Sequence, residues 1–269
     1  MSSPTVRRTA ARLTAAALAC WIALSAPGAH AQETPPPDPG ARQHTGAIWI
    51  GLMTDWQINR RWSIWFDTHY DNRAFFVLRP GLSYTFAAGP VLTGGYAYAL
   101  TDPGDGSLTR QEHRPWAQLV LPAKFGDDWG FSERLRAELR FRQKTESGQI
   151  VDGWIAVPRF RAQTALTYSL VKASYGEWFL QPAIELLVNA GDQVGTNFLD
   201  QTRASLMVGF RRKPFTIRVG YMDRFLPSAS PPMHEHDFLL WLNYAFEAAP
   251  AEAKADPAPV DPHPEGQNP

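Results

Sequence analysis

The sequence predicts an all-β fold, an antiparallel up-and-down transmembrane β-barrel of about twelve strands, with ten as the alternative count. Three observations support this prediction: an export signal, a region of roughly 200 residues that alternates with period two, and strands of about 10–13 residues. Soluble strands average about 5–6 residues, whereas a tilted strand needs about 9–11 residues to cross a bilayer. The strand lengths therefore favour a membrane barrel.

Residues 1–31 have the layout of a signal peptide. Three arginines precede an apolar stretch from Leu13 to Ala26, and Ala29-His30-Ala31 provides the small-x-small pattern at which signal peptidase cleaves. The stretch is too short for a comfortable membrane anchor, which needs roughly 20 residues. We therefore expect cleavage before Gln32, export through the general secretory pathway and a final location in a Gram-negative outer membrane.

The mature chain has no cysteine, because Cys20 lies within the signal, and this excludes disulfides and thiolate metal sites. The full sequence has 26 acidic and 26 basic residues, and loss of the three signal arginines leaves a formal charge near −3. That balance does not favour nucleic-acid binding, which needs a basic stripe. No motif indicates a cofactor. Pro-rich residues 32–44 and the Pro/Ala-rich tail 248–269 predict disordered segments, the tail in the periplasm, on either side of a barrel at 45–247.

The strand predictions rest on the separation of two faces within each segment. In 131–142, for example, Leu135 and Leu139 share one face while Arg136 and Arg140 share the other. In chain order, the predicted strands are 45–56, 61–73, 76–87, 90–100, 110–121, 131–142, 159–170, 178–189, 201–211, 215–224 and a last strand from Asp237 to Phe246. Alternation also fits a secreted soluble β-sandwich binding module, which stays as an alternative. Aromatic residues near the strand ends favour the membrane barrel, since they suit its interfacial girdles.

Eleven strands do not fit the even number usual in bacterial barrels. We therefore expect either a further strand near 33–44 or 148–156, or one strand fewer. The long connections at 101–109, 144–156, 190–199 and 226–235 are assigned to the outside, because periplasmic turns are short.

Arginine dominates the predicted polar face. One interpretation is an ion-pair network that fills a narrow lumen. The other is a lumen that binds or conducts small anionic solutes, since guanidinium groups match carboxylates and phosphates. The candidate ligand-binding residues are Arg79, Arg114, Arg134, Arg136, Arg140, Arg159, Arg161, Arg203 and Arg218.

Histidines provide the weaker candidates for chemistry. His69 and Asp71 share a face and could act with Ser63 or Ser83 in a lipid-modifying hydrolase. This enzyme is the alternative function, and it is less favoured because no nucleophile motif accompanies these residues.

His113 is a further acid–base candidate near the outer rim, but alternation directs it away from Glu112. His234 and His236 resemble a metal-ligand pair in an outer loop, for which the sequence offers no convincing third ligand.

Several segments resemble an uncharacterised family, domain of unknown function 2490. They are Trp49 to Arg73, Arg79 to Tyr84, Gly94 to Tyr98, Glu112 to Trp116, Arg134 to Phe141, Asp200 to Arg203 and Gly220 to Met222. The resemblance covers nearly all of 47–246; Leu139 departs from it, standing where a polar residue is common. It implies an outer-membrane barrel of no established activity.

The sequence as a whole predicts a monomeric barrel with a structural or transport role. Its expected partners are outer-membrane lipid, periplasmic chaperones, the barrel-assembly machinery and small anionic solutes.

Overall fold

A computed structural model describes residues 43–73, 75–103, 106–107, 109–194, 198–229 and 232–246. This part of the chain is all-β apart from a single 3-10 turn at Asp192–Val194. The predicted signal peptide, most of the Pro-rich segment and the C-terminal tail lie outside the described residues. Within the described residues, no helix has the length and apolar character needed to cross a membrane.

Eleven strands form a closed barrel within the described residues. They are β1 (Gln43–Gln57), β2 (Trp62–Asp71), β3 (Phe75–Thr85), β4 (Val91–Thr101), β5 (Arg110–Phe125), β6 (Trp129–Glu146), β7 (Gln149–Ala173), β8 (Gly176–Asn189), β9 (Leu199–Arg212), β10 (Phe215–Leu226) and β11 (Met233–Phe246). The closed barrel confirms the predicted all-β barrel and excludes the two-sheet sandwich. The count lies between the ten and twelve strands considered from the sequence.

The barrel closes through a parallel pair. Each strand pairs antiparallel with its neighbour in the chain, whereas β1 and β11 pair parallel from Gln43↔Met233 to Trp56↔Phe246. Strands that alternate in direction leave the first and the eleventh pointing the same way, so an odd-numbered barrel can close only in this manner. The barrel is therefore mixed rather than wholly antiparallel.

One predicted outer loop is wrong. Residues 144–156 form the top of a β6–β7 hairpin, in which Glu146 pairs with Gln149. Ser147 and Gly148 both adopt positive φ, as a two-residue turn that matches the strand twist requires. The further strand expected near 148–156 is thus the first part of β7, which has 25 residues.

The two ends of the barrel differ in their connections. The turns 58–61, 86–90, 126–128, 174–175 and 213–214 form one end, which we call the short-turn rim. The other end, the long-loop rim, is formed by the described residues of the remaining connections, which are 72–73, 102–103, 106–107, 109, 147–148, 190–194, 198, 227–229 and 232. Gln43 starts at the long-loop rim and Phe246 ends at the short-turn rim, as the parallel pairing requires.

The barrel has charged side chains inside and apolar side chains outside. In β6, Arg136 and Arg140 are buried at 2% and 6% exposure, while Leu135 and Phe141 are 45% and 37% exposed. The same alternation runs along the other strands, so that large apolar residues such as Ile184 and Leu206 cover the outer surface. This polarity is the inverse of that of a soluble protein.

Aromatic and aliphatic side chains fill the interior near the short-turn rim. Trp65, Trp116 and Phe179 are buried there, with Arg218 at 1% exposure among them. The Arg136 guanidinium lies 4.8 Å from the centre of the Trp116 ring, a cation–π distance. The open space of the lumen consequently lies in the middle and towards the long-loop rim.

Candidate functional site

The nine arginines predicted for the lumen all lie on the inner face of the barrel. Seven of them are buried, and Arg79 and Arg203 keep side-chain exposures of only 11% and 12%. Strands β5 to β9 supply most of them at alternate positions, which is why they face inward together. The structure therefore places these residues as the sequence predicts, and it adds their partners.

Glu112 on β5 neutralises several arginines at once. Its Oε2 accepts a hydrogen bond from Arg114 Nη2 at 2.8 Å and another from Arg140 Nη2 at 3.2 Å. Arg140 also donates through Nε to the other oxygen, and Arg142 Nε lies 3.9 Å from Oε2. Glu112 has no solvent exposure, so this buried carboxylate serves the buried Arg114 and Arg140 and the partly exposed Arg142.

Three further carboxylates repeat this arrangement on neighbouring strands. Glu138 accepts from Arg159 at 2.5 Å and from Arg161 at 3.0 Å. Glu185 accepts from Arg134, Arg161 and Arg203 at 2.9, 2.7 and 3.2 Å. Asp200 accepts from Arg159 Nη1 at 2.9 Å. Each carboxylate thus links its own strand to at least one other strand through arginine side chains.

Positive charge exceeds negative charge in this network. Its four carboxylates contact eight arginines, namely Arg114, Arg134, Arg136, Arg140, Arg142, Arg159, Arg161 and Arg203, which leaves an excess of four positive charges. The Nε atoms of Arg114 and Arg134 have no hydrogen-bond partner among the described residues. Buried charge that is not neutralised is costly.

A cavity of about 530 Å³ adjoins the network. Arg134, Arg161 and Arg203 line it together with Trp49, Phe75 and Trp241, and the Arg203 guanidinium lies 5.0 Å from the centre of the Trp49 ring. His69 lies against the aromatic residues and accepts a hydrogen bond from Trp49 Nε1 at 3.2 Å. A Cβ at Gly51 would come within 2.6 Å of the His69 Nδ1 atom, so glycine leaves the room that this ring occupies.

An acidic cluster with residues from β2, β10 and β11 borders the cavity. Arg224 Nη2 lies 2.8 Å from Asp71 Oδ2 and 2.5 Å from Glu235 Oε2, and Arg224 Nε lies 3.3 Å from Asp237 Oδ2. Arg224 also lies over the Trp49 ring at 5.2 Å. Nothing in the sequence indicated that Arg224 joins three carboxylates from two other strands, Asp71 of β2 and Glu235 and Asp237 of β11.

Comparison with known proteins assigns the family. The family model described as a protein of unknown function (DUF2490) matches residues 46–234, more than half of the chain. The chain belongs to this family. No curated protein and no solved structure matches the chain. The resemblance found in the sequence is therefore confirmed, and the family brings no activity with it.

The hydrolase candidates are not assembled around a serine in this DUF2490 chain. Ser63 donates to Asp55 at 2.9 Å, and Ser83 shares a hydrogen bond with Thr93 at 2.9 Å. Asp71 pairs with Arg224, as described above. His69 Nε2 instead has Asp67 at 3.9 Å as its nearest carboxylate among the described ion pairs.

His113 lies on the outer face of the DUF2490 barrel, as alternation predicts. Its Nδ1 is 2.5 Å from the Tyr96 hydroxyl, and its ring packs against Tyr98 and Trp154 at 5.4 and 5.2 Å. These contacts place it in an aromatic cluster away from Glu112, whose side chain points inward.

His234 and His236 lie in β11 rather than in an outer loop, which corrects their predicted setting. Both face outward at the long-loop rim, and both approach Asp223 of β10. His44 of β1, which the sequence did not connect with them, joins the pair across the parallel seam.

Proposed function

We propose that this DUF2490 member is an outer-membrane β-barrel whose lumen binds a small amphipathic anion that enters from the long-loop rim. The outer surface supports the membrane location, because large apolar residues cover it on every side of a barrel with a charged interior. A bilayer stabilises this arrangement, whereas water does not. Insertion would then depend on periplasmic chaperones and the barrel-assembly machinery.

The excess of positive charge beside the cavity is the observation on which the anion proposal rests. Arg134, Arg161 and Arg203 line the cavity; all three pair with Glu185, and Arg161 pairs with Glu138 as well. A carboxylate or phosphate at this wall would complete charge-assisted hydrogen bonds that the protein leaves unmade. The low-dielectric surroundings would strengthen these bonds relative to water.

The aromatic residues of the lining support an apolar body for the same ligand. Trp49 is 5% exposed and packs edge-on against Phe75, with ring centres 4.8 Å apart. The cavity volume of about 530 Å³ is within the range of small-molecule sites, which are mostly apolar with a few polar groups. An anionic group joined to an aromatic or aliphatic body fits a lining that combines arginines with aromatic rings.

The packed interior of the barrel is more consistent with binding of a solute than with conduction of ions through the lumen. Trp65, Trp116 and Phe179 pack the lumen near the short-turn rim, and Arg211 lies 4.7 Å over the Phe179 ring. A solute that enters from the long-loop rim meets this packed region. Steady ionic conductance of the purified protein in planar bilayers would favour a channel instead.

The membrane location predicts heat-modifiable behaviour. The expressed full chain should be recovered with the outer-membrane fraction, and the folded barrel should migrate differently from the boiled protein in a detergent gel. The expected reason is that a closed barrel resists detergent until heat separates its strands. Recovery of the chain in the soluble periplasmic fraction without detergent would contradict this location.

Ligand selectivity tests the pocket. The folded barrel should bind phenyl phosphate or benzoate and should not bind benzylammonium, which has the same apolar body and the opposite charge. Arg203→Met should weaken binding of the anions by at least about tenfold, because a hydrogen bond to a charged group contributes about 1.5–3 kcal/mol. Glu185 keeps Arg134 and Arg161 in this variant, so the fold should persist. Titration calorimetry measures the affinity.

Arg61→Met is the matched control. Arg61 is exposed at the short-turn rim, where it donates to the Tyr84 hydroxyl at 3.1 Å outside the lumen. The change removes the same charge far from the cavity and should leave anion affinity unaltered. Equal losses in Arg203→Met and Arg61→Met, or equal binding of benzylammonium, would contradict an anion site in the lumen.

A further inference from the structure

The acidic cluster that borders the lumen cavity has more negative than positive charge. Its three carboxylates, those of Asp71, Glu235 and Asp237, contact the single guanidinium of Arg224, which leaves an excess of two negative charges. One carboxylate oxygen of each residue lies within 4.8 Å of the other two, so the three charges act at one place. The anion site proposed above does not use this charge.

Asp237 is the member of the cluster whose charge is least compensated. Its side chain has no solvent exposure, and neither carboxylate oxygen accepts a hydrogen bond from the described residues, although Oδ2 lies 3.3 Å from Arg224 Nε. A buried carboxylate in this state is costly. A further cation close to the cluster lowers this cost, because charges attract strongly in surroundings of low dielectric constant.

Glu235 brings the charge of the cluster to the cavity. Glu235 and Thr45 both line the cavity, and they face one another in the register of β1 and β11. The Thr45 hydroxyl donates to Met233 Sδ at 3.9 Å, which leaves its oxygen able to accept a hydrogen bond. An ammonium group has three N–H donors and no acceptor, so a carboxylate beside a hydroxyl suits it.

The excess of negative charge lies next to the excess of positive charge. Arg203, Arg224 and Glu235 occupy facing positions on β9, β10 and β11. Arg203 and Glu235 are therefore two strand spacings apart along the backbone, about 10 Å at about 4.8 Å for each spacing. The guanidinium groups of Arg203 and Arg224 lie 5.0 and 5.2 Å from the centre of the Trp49 ring. One small molecule that carries both charges can reach Arg203 and Glu235 together.

We propose that the ligand of the lumen is an amphipathic zwitterion, an amino acid with an aromatic or aliphatic side chain. Its carboxylate binds at Arg203, its ammonium group binds at Glu235 and Thr45, and its apolar body packs against Trp49. The inference rests on the proposed function, because it keeps the anion site and adds a cation site beside it. A ligand with both charges matches a cavity whose neighbouring clusters have excess charge of opposite sign.

Titration calorimetry of the folded full chain in detergent tests this pair of charges. Three ligands share one phenyl body: phenylalanine has both charges, 3-phenylpropionate has only the carboxylate, and phenethylamine has only the ammonium group. We expect phenylalanine to bind at least about tenfold more tightly than 3-phenylpropionate, because a hydrogen bond to a charged group is strong, and phenethylamine to bind most weakly. Equal affinities for phenylalanine and 3-phenylpropionate would overturn this inference and leave the anion site standing. Absence of binding by both would overturn the two proposals together.

Glu235→Gln should remove the advantage of phenylalanine. This variant should bind phenylalanine and 3-phenylpropionate with similar affinity, whereas Arg203→Met should weaken the binding of both. Arg224 keeps Asp71 and Asp237 in Glu235→Gln, and the loss of one negative charge brings the cluster closer to neutrality. The heat-modifiable band should therefore confirm that the variant folds.

Glu133→Gln is the matched control. Glu133 is another buried acid of the inner face, but it lies outside the cavity lining and accepts from the Thr164 hydroxyl at 2.6 Å. An equal loss of phenylalanine affinity in Glu133→Gln, or an undiminished advantage of phenylalanine in Glu235→Gln, would contradict the cation site.

A hard divalent metal ion is the other cation that a group of carboxylates can bind. Titration with Ca²⁺ alone separates the two cases. We expect no saturable signal, because Arg224 already contacts one oxygen of each carboxylate in the cluster. A saturable Ca²⁺ signal that Glu235→Gln removes would assign the cluster to metal binding and overturn the zwitterion proposal.

Discussion

Replacement of Glu112 by glutamine is expected to destabilise the barrel by about 3–5 kcal/mol, the range measured when one partner of a buried ion pair is removed. The substitution keeps the shape of the side chain and removes its charge. Arg114 and Arg140 would lose their hydrogen-bonded carboxylate, and Arg142 would lose its nearest negative charge. The midpoint of urea unfolding, followed by tryptophan fluorescence in detergent, measures the loss.

An exposed acid provides the control for this substitution. Asp128 pairs with Lys172 at 3.1 Å at the short-turn rim, and both side chains are about half exposed, at 56% and 46%. Asp128→Asn should change the midpoint little, because exposed pairs contribute little. A double variant, Glu112→Gln with Arg140→Met, should recover part of the lost stability, because it also removes the arginine charge that Glu112→Gln leaves without its carboxylate. If Glu112→Gln and Asp128→Asn behave alike, the network does not stabilise the fold.

The second large effect on stability is expected for a substitution on the outer, apolar face of the barrel. Leu135→Arg places a charge in the middle of the apolar outer surface, where Leu119 and Ala162 flank it in the register. At the bilayer midplane this change costs about 2–4 kcal/mol in membrane barrels. In a soluble protein, a substitution at a position that is 45% exposed usually changes stability by about 0.5 kcal/mol or less. Folding into lipid vesicles, followed by gel mobility, distinguishes the two cases.

Phe125→Arg is the appropriate comparison for Leu135→Arg. Phe125 is 51% exposed and ends β5 at the short-turn rim, where an interfacial arginine costs about 0–1 kcal/mol. A membrane barrel should therefore tolerate Phe125→Arg and lose folding yield with Leu135→Arg. Equal tolerance of both variants would contradict a membrane-facing outer surface.

Alternation predicted the strands and their faces because it is a local property of each segment. The period of two that separates Leu135 from Arg136 is visible without knowledge of any other strand. Alternation did not predict the end of β6 at the long-loop rim. There, Lys144 to Glu146 continue the strand with polar residues on both faces. Since neither face of this hairpin end needs to be apolar, the sequence shows a loop-like composition there.

The contacts between strands could not be predicted in the same way. Alternation places Glu112 and Arg140 on one face, but 28 residues separate them along the chain and their pairing depends on the register. His44 and His236 are 192 residues apart and meet only because β1 and β11 pair parallel. Bacterial barrels usually have an even number of strands, and in such a barrel the first and last strands pair antiparallel. A parallel pairing of β1 with β11 was therefore not expected, and the sequence alone could not place His44 beside His236.

The parallel seam also decides how the chain could be rearranged. In a barrel with an even number of strands, the first and last residues lie at the same rim, and a short linker can join them to make a circular permutant. Here Gln43 and Phe246 lie at opposite rims, separated by the length of fourteen register pairs, roughly 45 Å at about 3.3 Å per residue. A linker between these two residues would have to run the full height of the barrel. This topology is therefore less suited to circular permutation than that of an even-stranded barrel.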